Sequence, residues 1–181
     1  RAAFHWNKVY GLPVNSIRIF NAYGPRVRTT GAYGAVIGVF FKQKISNKPL
    51  TIVGSGNQSR DFVHVTDVVK AFYRASKISK SGEFFNIGTG NPQTVNHLAN
   101  LVGGKKINIP DRPGEPMRSC ANISKAKRML KWRPKIKFSN GINDMLKDIK
   151  KWRDAPLWTP KKIKNATKTW FSFLKKNETK R

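Results

Sequence analysis

Across 181 residues, 39% apolar and 11% aromatic side chains suffice for a core, so this is one ordinary domain or two small lobes and not a disordered chain. A single cysteine, Cys120, excludes an internal disulfide framework and a thiolate metal cluster, and no apolar run approaches the ~20 residues of a bilayer span. Thirty-six Lys and Arg against nine acids, a formal charge of +27, favour anionic partners such as nucleotide phosphates, nucleic acid or an anionic membrane. The lysines are spread along the chain and thicken after Lys105, and most read as a solvated basic surface.

Ala2 to Tyr10 reads as a helix stopped by Gly11-Leu12-Pro13. The start, Arg-Ala-Ala-Phe-His-Trp, has neither an initiator Met nor an apolar signal core, which leads us to expect a piece that begins inside a helix of a longer protein. Val14 to Phe20 is a strand that runs into the turn-rich Asn21-Ala22-Tyr23-Gly24-Pro25-Arg26. A helix from Ala35 to Ile45 ends at Asn47-Lys48-Pro49, and the strand Leu50 to Val53 leads into Gly54-Ser55-Gly56-Asn57. Thr66 is expected to cap a helix with Val69, Phe72, Tyr73 and Ala75 on its inner face and Asp67 near its positive end. Phe84 to Ile87 is the next strand and ends in Gly88-Thr89-Gly90.

Helices follow at Val95 to Val102, Ser124 to Leu130 and Asn140 to Lys151, separated by Ile107-Asn108-Ile109 and by loops rich in Gly and Pro. Beyond Trp152 a stiff aromatic connection reaches Thr159-Pro160, a helix-start pair. The last helix carries Ile163, Ala166, Trp170, Phe173 and Leu174 on one face and lysines on the other. Packing on the body accounts for that face better than membrane anchoring. Strands alternating with helices indicate an α/β architecture.

Three polar segments sit where a strand gives way to a loop, the usual place for ligands in open α/β sheets. They are Arg18-Ile19-Phe20-Asn21-Ala22-Tyr23-Gly24-Pro25-Arg26, then Gly54 to Asp67 with Arg60-Asp61-Phe62-Val63-His64-Val65, then Asp111-Arg112-Pro113-Gly114-Glu115-Pro116. Arg60 and Arg112 stand out, because a pyrophosphate needs bidentate cationic donors and arginine supplies them in a fixed fork. Taken singly, Arg60-Asp61 could be an ion pair, Asn21 a turn residue and Arg112 a surface arginine. His64, between two valines, reads as structural. Gly54-Ser55-Gly56 and Gly88-Thr89-Gly90 lack the third glycine of a dinucleotide turn and read as plain turns.

In this order the three segments resemble the nucleotide-sugar epimerases and dehydratases of the extended short-chain dehydrogenase/reductase superfamily, over roughly Val9 to Trp132. The resemblance implies the C-terminal part of an NAD(P)-binding Rossmann-type fold plus a smaller substrate-binding lobe. Residues 1–104 would end the Rossmann-type sheet with interleaved substrate segments, 105–152 would form the C-terminal lobe, and 153–181 a basic amphipathic helix. It further implies substrate contacts at Asn21, Thr51, Val53, Arg60 and Arg112, with Ile19, Phe20 and Pro25 toward the cofactor, NAD.

Members of the family use a Gly-rich turn and a Tyr-x-x-x-Lys pair, and the only bare match, Tyr73 and Lys77, lies on the wrong side of the Arg-Asp-Phe segment. The acid/base and most of the NAD site are therefore expected upstream of Arg1, with no catalytic residue and no metal ligand in this chain. Asn122 stands where the family usually has Asp, while Gly31-Ala32-Tyr33-Gly34-Ala35 and the stretch Trp152 to Pro160 resemble a UDP-glucose 4-epimerase-like subgroup. The implied parent is a cytoplasmic, homodimeric, NAD-dependent enzyme acting on a nucleotide-diphosphate sugar. Its reaction would be 4-epimerisation, with 4,6-dehydration or UDP-glucuronate decarboxylation as alternatives. Nucleic acid and membrane are the less favoured partners, and a basic nucleic-acid- or anionic-surface-binding module is the reading from another class. Without inner neighbours for its strands, the chain is expected to expose an apolar sheet face.

Overall fold

A computed structural model of the chain describes residues 2–27, 29 and 36–178. In chain order the elements are α1 (Ala2–Tyr10), β1 (Ser16–Ile19), β2 (Asn21–Tyr23), α2 (Val36–Ile45), β3 (Leu50–Val53), β4 (Ser59–Arg60), β5 (Phe62–His64) and α3 (Val65–Ala75). They continue with β6 (Phe84–Ile87), β7 (Gln93–Thr94), α4 (Val95–Val102), β8 (Lys106–Ile109), α5 (Ser124–Met129), α6 (Phe138–Lys147), a 3-10 turn (Ile149–Trp152) and α7 (Pro160–Glu178). The segment Gly31 to Ala35 lies outside the described residues. No helix among the described residues is long and apolar enough to cross a membrane.

The chain divides into two compact units, each gathered from three separate stretches. The first holds Arg1–Gly24, Arg60–Pro92 and Ser119–Gly141, and the second holds Pro25–Ser59, Gln93–Arg118 and Ile142–Arg181. In the first unit β1 runs parallel to β6, with Ser16 opposite Phe84 and Ile19 opposite Ile87. There too β2 runs parallel to β5, with Asn21 opposite Phe62 and Tyr23 opposite His64. In the second unit β3 runs parallel to β8, from the pair Leu50 and Lys106 to the pair Val53 and Ile109. Parallel pairs separated by helices are the α/β arrangement that the alternating pattern implies.

The first unit packs Val63, Phe85 and Ile87 from its strands against Val68, Ala71 and Ala75 of α3 and Ala126, Leu130 and Trp132 at α5. In the second, Ile37, Phe40 and Phe41 of α2 are buried along with Leu50 and Ile52 of β3, Leu98 and Val102 of α4, and Trp152. The Phe41 and Trp152 rings meet edge to face at 4.9 Å. Burial of each such side chain contributes on the order of 2–3 kcal/mol.

Several elements depart from the sequence reading. His64, not Thr66, caps α3: its Nδ1 accepts from the Thr66 backbone N–H at 3.3 Å, while Thr66 sits inside the first turn. The inner face of α3 is Asp67, Val68, Ala71 and Ala75. Val69, Phe72 and Tyr73, expected inside, are 61%, 51% and 63% exposed. Small side chains on the other face let the helix lie close to the strands, and that close approach decides the orientation. On α7 Ala166 is exposed and Thr167 is buried, its hydroxyl donating to the Ile163 carbonyl at 2.9 Å, so the inner stripe runs Ile163, Thr167, Trp170. The side chains of Phe173 and Leu174 lie outside the described ones.

Candidate functional site

In the first unit Asn21 stands exposed at the start of β2, just past the carboxyl end of β1. Its position is fixed from both sides, because Phe20 N donates to Ile87 O at 2.9 Å and Asn21 N donates to Asp61 O at 3.1 Å. Arg60, half-buried, immediately precedes this anchor. Asp61 itself is fully buried. Its Oδ1 accepts from Thr89 N at 2.6 Å and Thr89 Oγ1 at 2.5 Å. Its Oδ2 accepts from Gly90 N and Ala121 N, both at 2.9 Å.

One carboxylate thus ties the end of β6, the segment after Ser119 and the start of β5 into a single knot beside Asn21 and Arg60. A charge this deep is tolerated because four donors replace its water. A Cβ at Gly88 would lie 2.5 Å from Ala121 Cβ and 2.7 Å from Asp61 Oδ2, so glycine is what lets the knot close. In the sequence Asp61 reads only as half of an ion pair with Arg60. An acid directly before the buried run Phe62-Val63 was the signal.

Around the knot the aromatic rings of Tyr23, Phe62 and Phe138 pack together, with Phe62 and Phe138 stacked at 4.9 Å. The Tyr23 hydroxyl is buried with no hydrogen-bond partner among the described residues. Burial, and then the charge of Asp67, push its pKa well above the usual phenol value. Its ring packs edge to face on Phe62 and Phe138. His64 also serves structure, as the cap of α3. Tyr73 and Lys77 form only a surface cation–π contact, 5.5 Å from ammonium to ring centre. Asn122 Oδ1 accepts from Ser124 N at 3.0 Å, a turn that Asp would form equally well.

In the second unit Thr51 and Val53 share one face of β3, and both are buried. The Thr51 hydroxyl accepts from Gln43 Nε2 at 2.8 Å, and Thr51 N donates to Gln43 Oε1 at 3.1 Å. The Val53 carbonyl accepts from Gln58 Nε2 at 3.0 Å. These residues offer packed strand surface, because their polar groups are already engaged.

Past β3 the turn is built on glycines. Gly54 has a φ of +56°, and a Cβ there would sit 1.7 Å from Asp111 Oδ1. Gly54 N donates to Ile109 O at 2.8 Å, and Asn96 Nδ2 donates to Ser55 O at 2.9 Å. Both glycine pairs therefore act as turns, as read from the sequence. Arg112, half-buried, has its Nε buried with no partner among the described residues. A buried guanidinium N–H without a protein partner is uncommon, because burial otherwise costs the group its water.

Asn21, Arg60, Ile19 and Phe20 thus belong to the first unit, and Thr51, Val53, Arg112 and Pro25 to the second. Among the described residues no cluster of His, Cys, Asp or Glu side chains could hold a metal ion.

A family model described as GDP-mannose 4,6 dehydratase matches residues 2–145. The putative UDP-glucose 4-epimerase of Methanocaldococcus jannaschii is 36% identical over 80% of this chain and 48% of that protein. UDP-glucuronic acid decarboxylase 6 of Arabidopsis thaliana is 32% identical over 81% of the chain and 44% of that protein. The crystal structure of the Thermotoga maritima UDP-glucose 4-epimerase with UDP-glucose superposes with a TM-score of 0.75 at 32% identity, covering 81% of this chain and 49% of that one. The chain spans about half the length of the relatives it matches.

Proposed function

The chain belongs to the nucleotide-sugar epimerase and dehydratase family matched by the GDP-mannose 4,6 dehydratase model, and we propose that it forms the nucleotide-sugar-holding half of a UDP-glucose 4-epimerase. The observation that carries this reading is Arg112, a half-buried arginine with an unpartnered guanidinium N–H in a Pro-Gly turn. Arg112 and Arg60 would neutralise the pyrophosphate, Asn21 would add an amide donor, and the β3 surface at Thr51 and Val53 would meet the base. The epimerase relatives from M. jannaschii and T. maritima support the substrate. Cytoplasmic location and homodimerisation of the whole protein belong to the same proposal.

NAD supplies oxidation and reduction at the sugar in such an enzyme. The residues of this chain do not by themselves fit it. Phe20 spends its N–H on Ile87 and its carbonyl on Ala22 N, and Pro25 has no N–H. Phe20 thus has no free backbone polar group to offer a dinucleotide, and Ile19, Phe20 and Pro25 have apolar side chains. The chemistry of this chain is accordingly binding and orientation, and the acid/base belongs elsewhere in the whole protein.

The Arabidopsis relative favours a second reading, UDP-glucuronate decarboxylation, with 4,6-dehydration beside it. Calorimetric titration of the 181-residue chain at about 0.15 M salt with UDP-glucose, UDP-glucuronate and inorganic pyrophosphate separates these. UDP-glucose is expected to bind tightest, and Arg60→Gln and Arg112→Gln are each expected to weaken it ~10-fold or more, as for a lost charged hydrogen bond of about 1.5–3 kcal/mol. Tighter UDP-glucuronate binding moves the reading to the decarboxylase. Equal affinity for pyrophosphate, or two silent substitutions, overturns the clamp.

A further inference from the structure

Between Ser124 and Lys137 the sequence holds seven basic residues and no acid. The fold turns the second half of this stretch into a regular surface. After α5, Lys131 takes a φ of +49° and redirects the chain. From there inward and outward residues alternate. Leu130 and Trp132 are buried and Pro134, Ile136 and Phe138 half-buried, while Lys131, Arg133, Lys135 and Lys137 are exposed.

This strap is held in place from beneath. Trp132 Nε1 donates to Asp67 O at 2.9 Å, and the backbone N–H groups of Lys135 and Ile136 both donate to Asp67 Oδ2 at 2.9 Å. The cations are thus mounted on a strap that is pinned to Asp67, in the first turn of α3, by two backbone N–H groups and the Trp132 indole. Lys127 and Arg128, also exposed, extend the row onto α5.

Nothing in the first unit neutralises these charges. Its acids are Asp61, Asp67 and Glu83. Asp61 and Asp67 are buried and engaged with backbone N–H groups. Glu83 pairs with Lys80 at 2.7 Å and Lys125 at 2.6 Å. Among the described residues Lys127, Arg128, Lys131, Arg133, Lys135 and Lys137 have no ion-pair partner.

We propose that this strap is a sequence-independent binding surface for the phosphate backbone of a nucleic-acid strand. Alternate residues of the strap present their cations on the exposed side, because the residues between them turn inward. Trp132 is buried and Pro134, Ile136 and Phe138 are half-buried, so cations make up the most exposed side of the strap. A regular row of cations fits a regular polyanion. It also raises the weight of nucleic acid above what the sequence alone gave it, because the fold leaves the cations of this one basic run exposed and without ion-pair partners.

The test is fluorescence anisotropy of a labelled 20-nucleotide single-stranded RNA of mixed sequence, titrated with the 181-residue chain over a series of salt concentrations. Three proteins are compared: the unaltered chain, K131Q/R133Q/K135Q/K137Q, and a control of equal charge, K161Q/K162Q/K164Q/K168Q, altered at exposed lysines of α7. The unaltered chain should bind with an affinity that falls steeply with salt. The strap variant should bind at least ~10-fold more weakly, with a log–log salt slope shallower by about 2–3, at ~0.7 per lost phosphate contact. The α7 control should keep most of the slope. A thermal melt checks folding, and if the strap variant fails it, K135Q/K137Q carries the test with a slope change of about 1. Absence of RNA binding, equal loss in strap and control variants, or tighter binding to phosphatidylserine vesicles than to RNA overturns the proposal.

Discussion

The two units are held together by different chemistry and finish their surfaces differently. The first is knotted by buried carboxylates: Asp61 gathers four donors, and Asp67 accepts two backbone N–H groups. The second is knotted by amides. Gln43 binds Thr51 and the Trp158 carbonyl, and Gln58 binds the Val53 carbonyl. A carboxylate can gather only donors, whereas an amide joins donor to acceptor.

The first unit also leaves more large apolar surface uncovered. Trp6, Val9 and Tyr10 of α1, Val69, Phe72 and Tyr73 of α3, and Ile19 and Phe84 at strand ends are exposed, against only Ile107 and Met117 among the described residues of the second. A cavity of about 400 Å³, lined by Val14, Ile17, Phe72, Ala75 and Ile78 among others, opens in the same unit. Most of this uncovered apolar surface lies on α1 and α3, with Ile19 and Phe84 the strand residues in it.

The largest effect should come from crossing that difference. Phe41→Ala in the closed unit should cost about 3–5 kcal/mol in denaturant unfolding. Phe72→Ala on the open face should cost under ~0.5 kcal/mol and raise the monomer fraction on size exclusion. Similar costs for the two would erase the contrast.

A middle-sized effect should separate the two kinds of knot. Asp61→Asn turns an amide N–H toward backbone donors and should cost about 3 kcal/mol, whereas Gln43→Leu, which strands the Thr51 hydroxyl, should cost about 1–2 kcal/mol. If the glutamine change proves the larger in the same melts, the carboxylate is not the stronger tie.

The smallest effect lies at Glu83. Hydrogen bonds from Lys125 and Lys80 hold its carboxyl down at about 2. A lowered folded pKa gives stability that is fully present above the unfolded value near 4.5 and is lost as pH falls toward 2. The stability gap between the unaltered chain and Glu83→Gln should therefore be visible at pH 7 and close by about pH 2. A gap independent of pH would show that the charge contributes nothing.

Much of the candidate site was legible because it consists of residue types in a fixed order at strand ends. Arg112 in its Pro-Gly turn and Asn21 past β1 are such features. Other parts were not legible. Nothing near Thr51 in the sequence shows that its hydroxyl accepts from Gln43, a partner eight residues earlier on another element. Asp61 looks like half of an ion pair, yet its carboxylate donors come from residues 89, 90 and 121.

By itself the sequence determined the α/β alternation, helices such as α1 and α4, strands such as β3 and β6, and the family, since each depends on local periodicity, turn residues or short motifs. Only the tertiary structure decided which apolar face of α3 turns inward, where the three-residue strands β2 and β5 pair, what Asp61 holds and how the cations of the strap line up. Two faces of α3 are apolar enough to satisfy a helical period, and three residues carry too little pattern to announce a strand. Those choices rest on contacts between residues distant in the chain, which no local signal encodes.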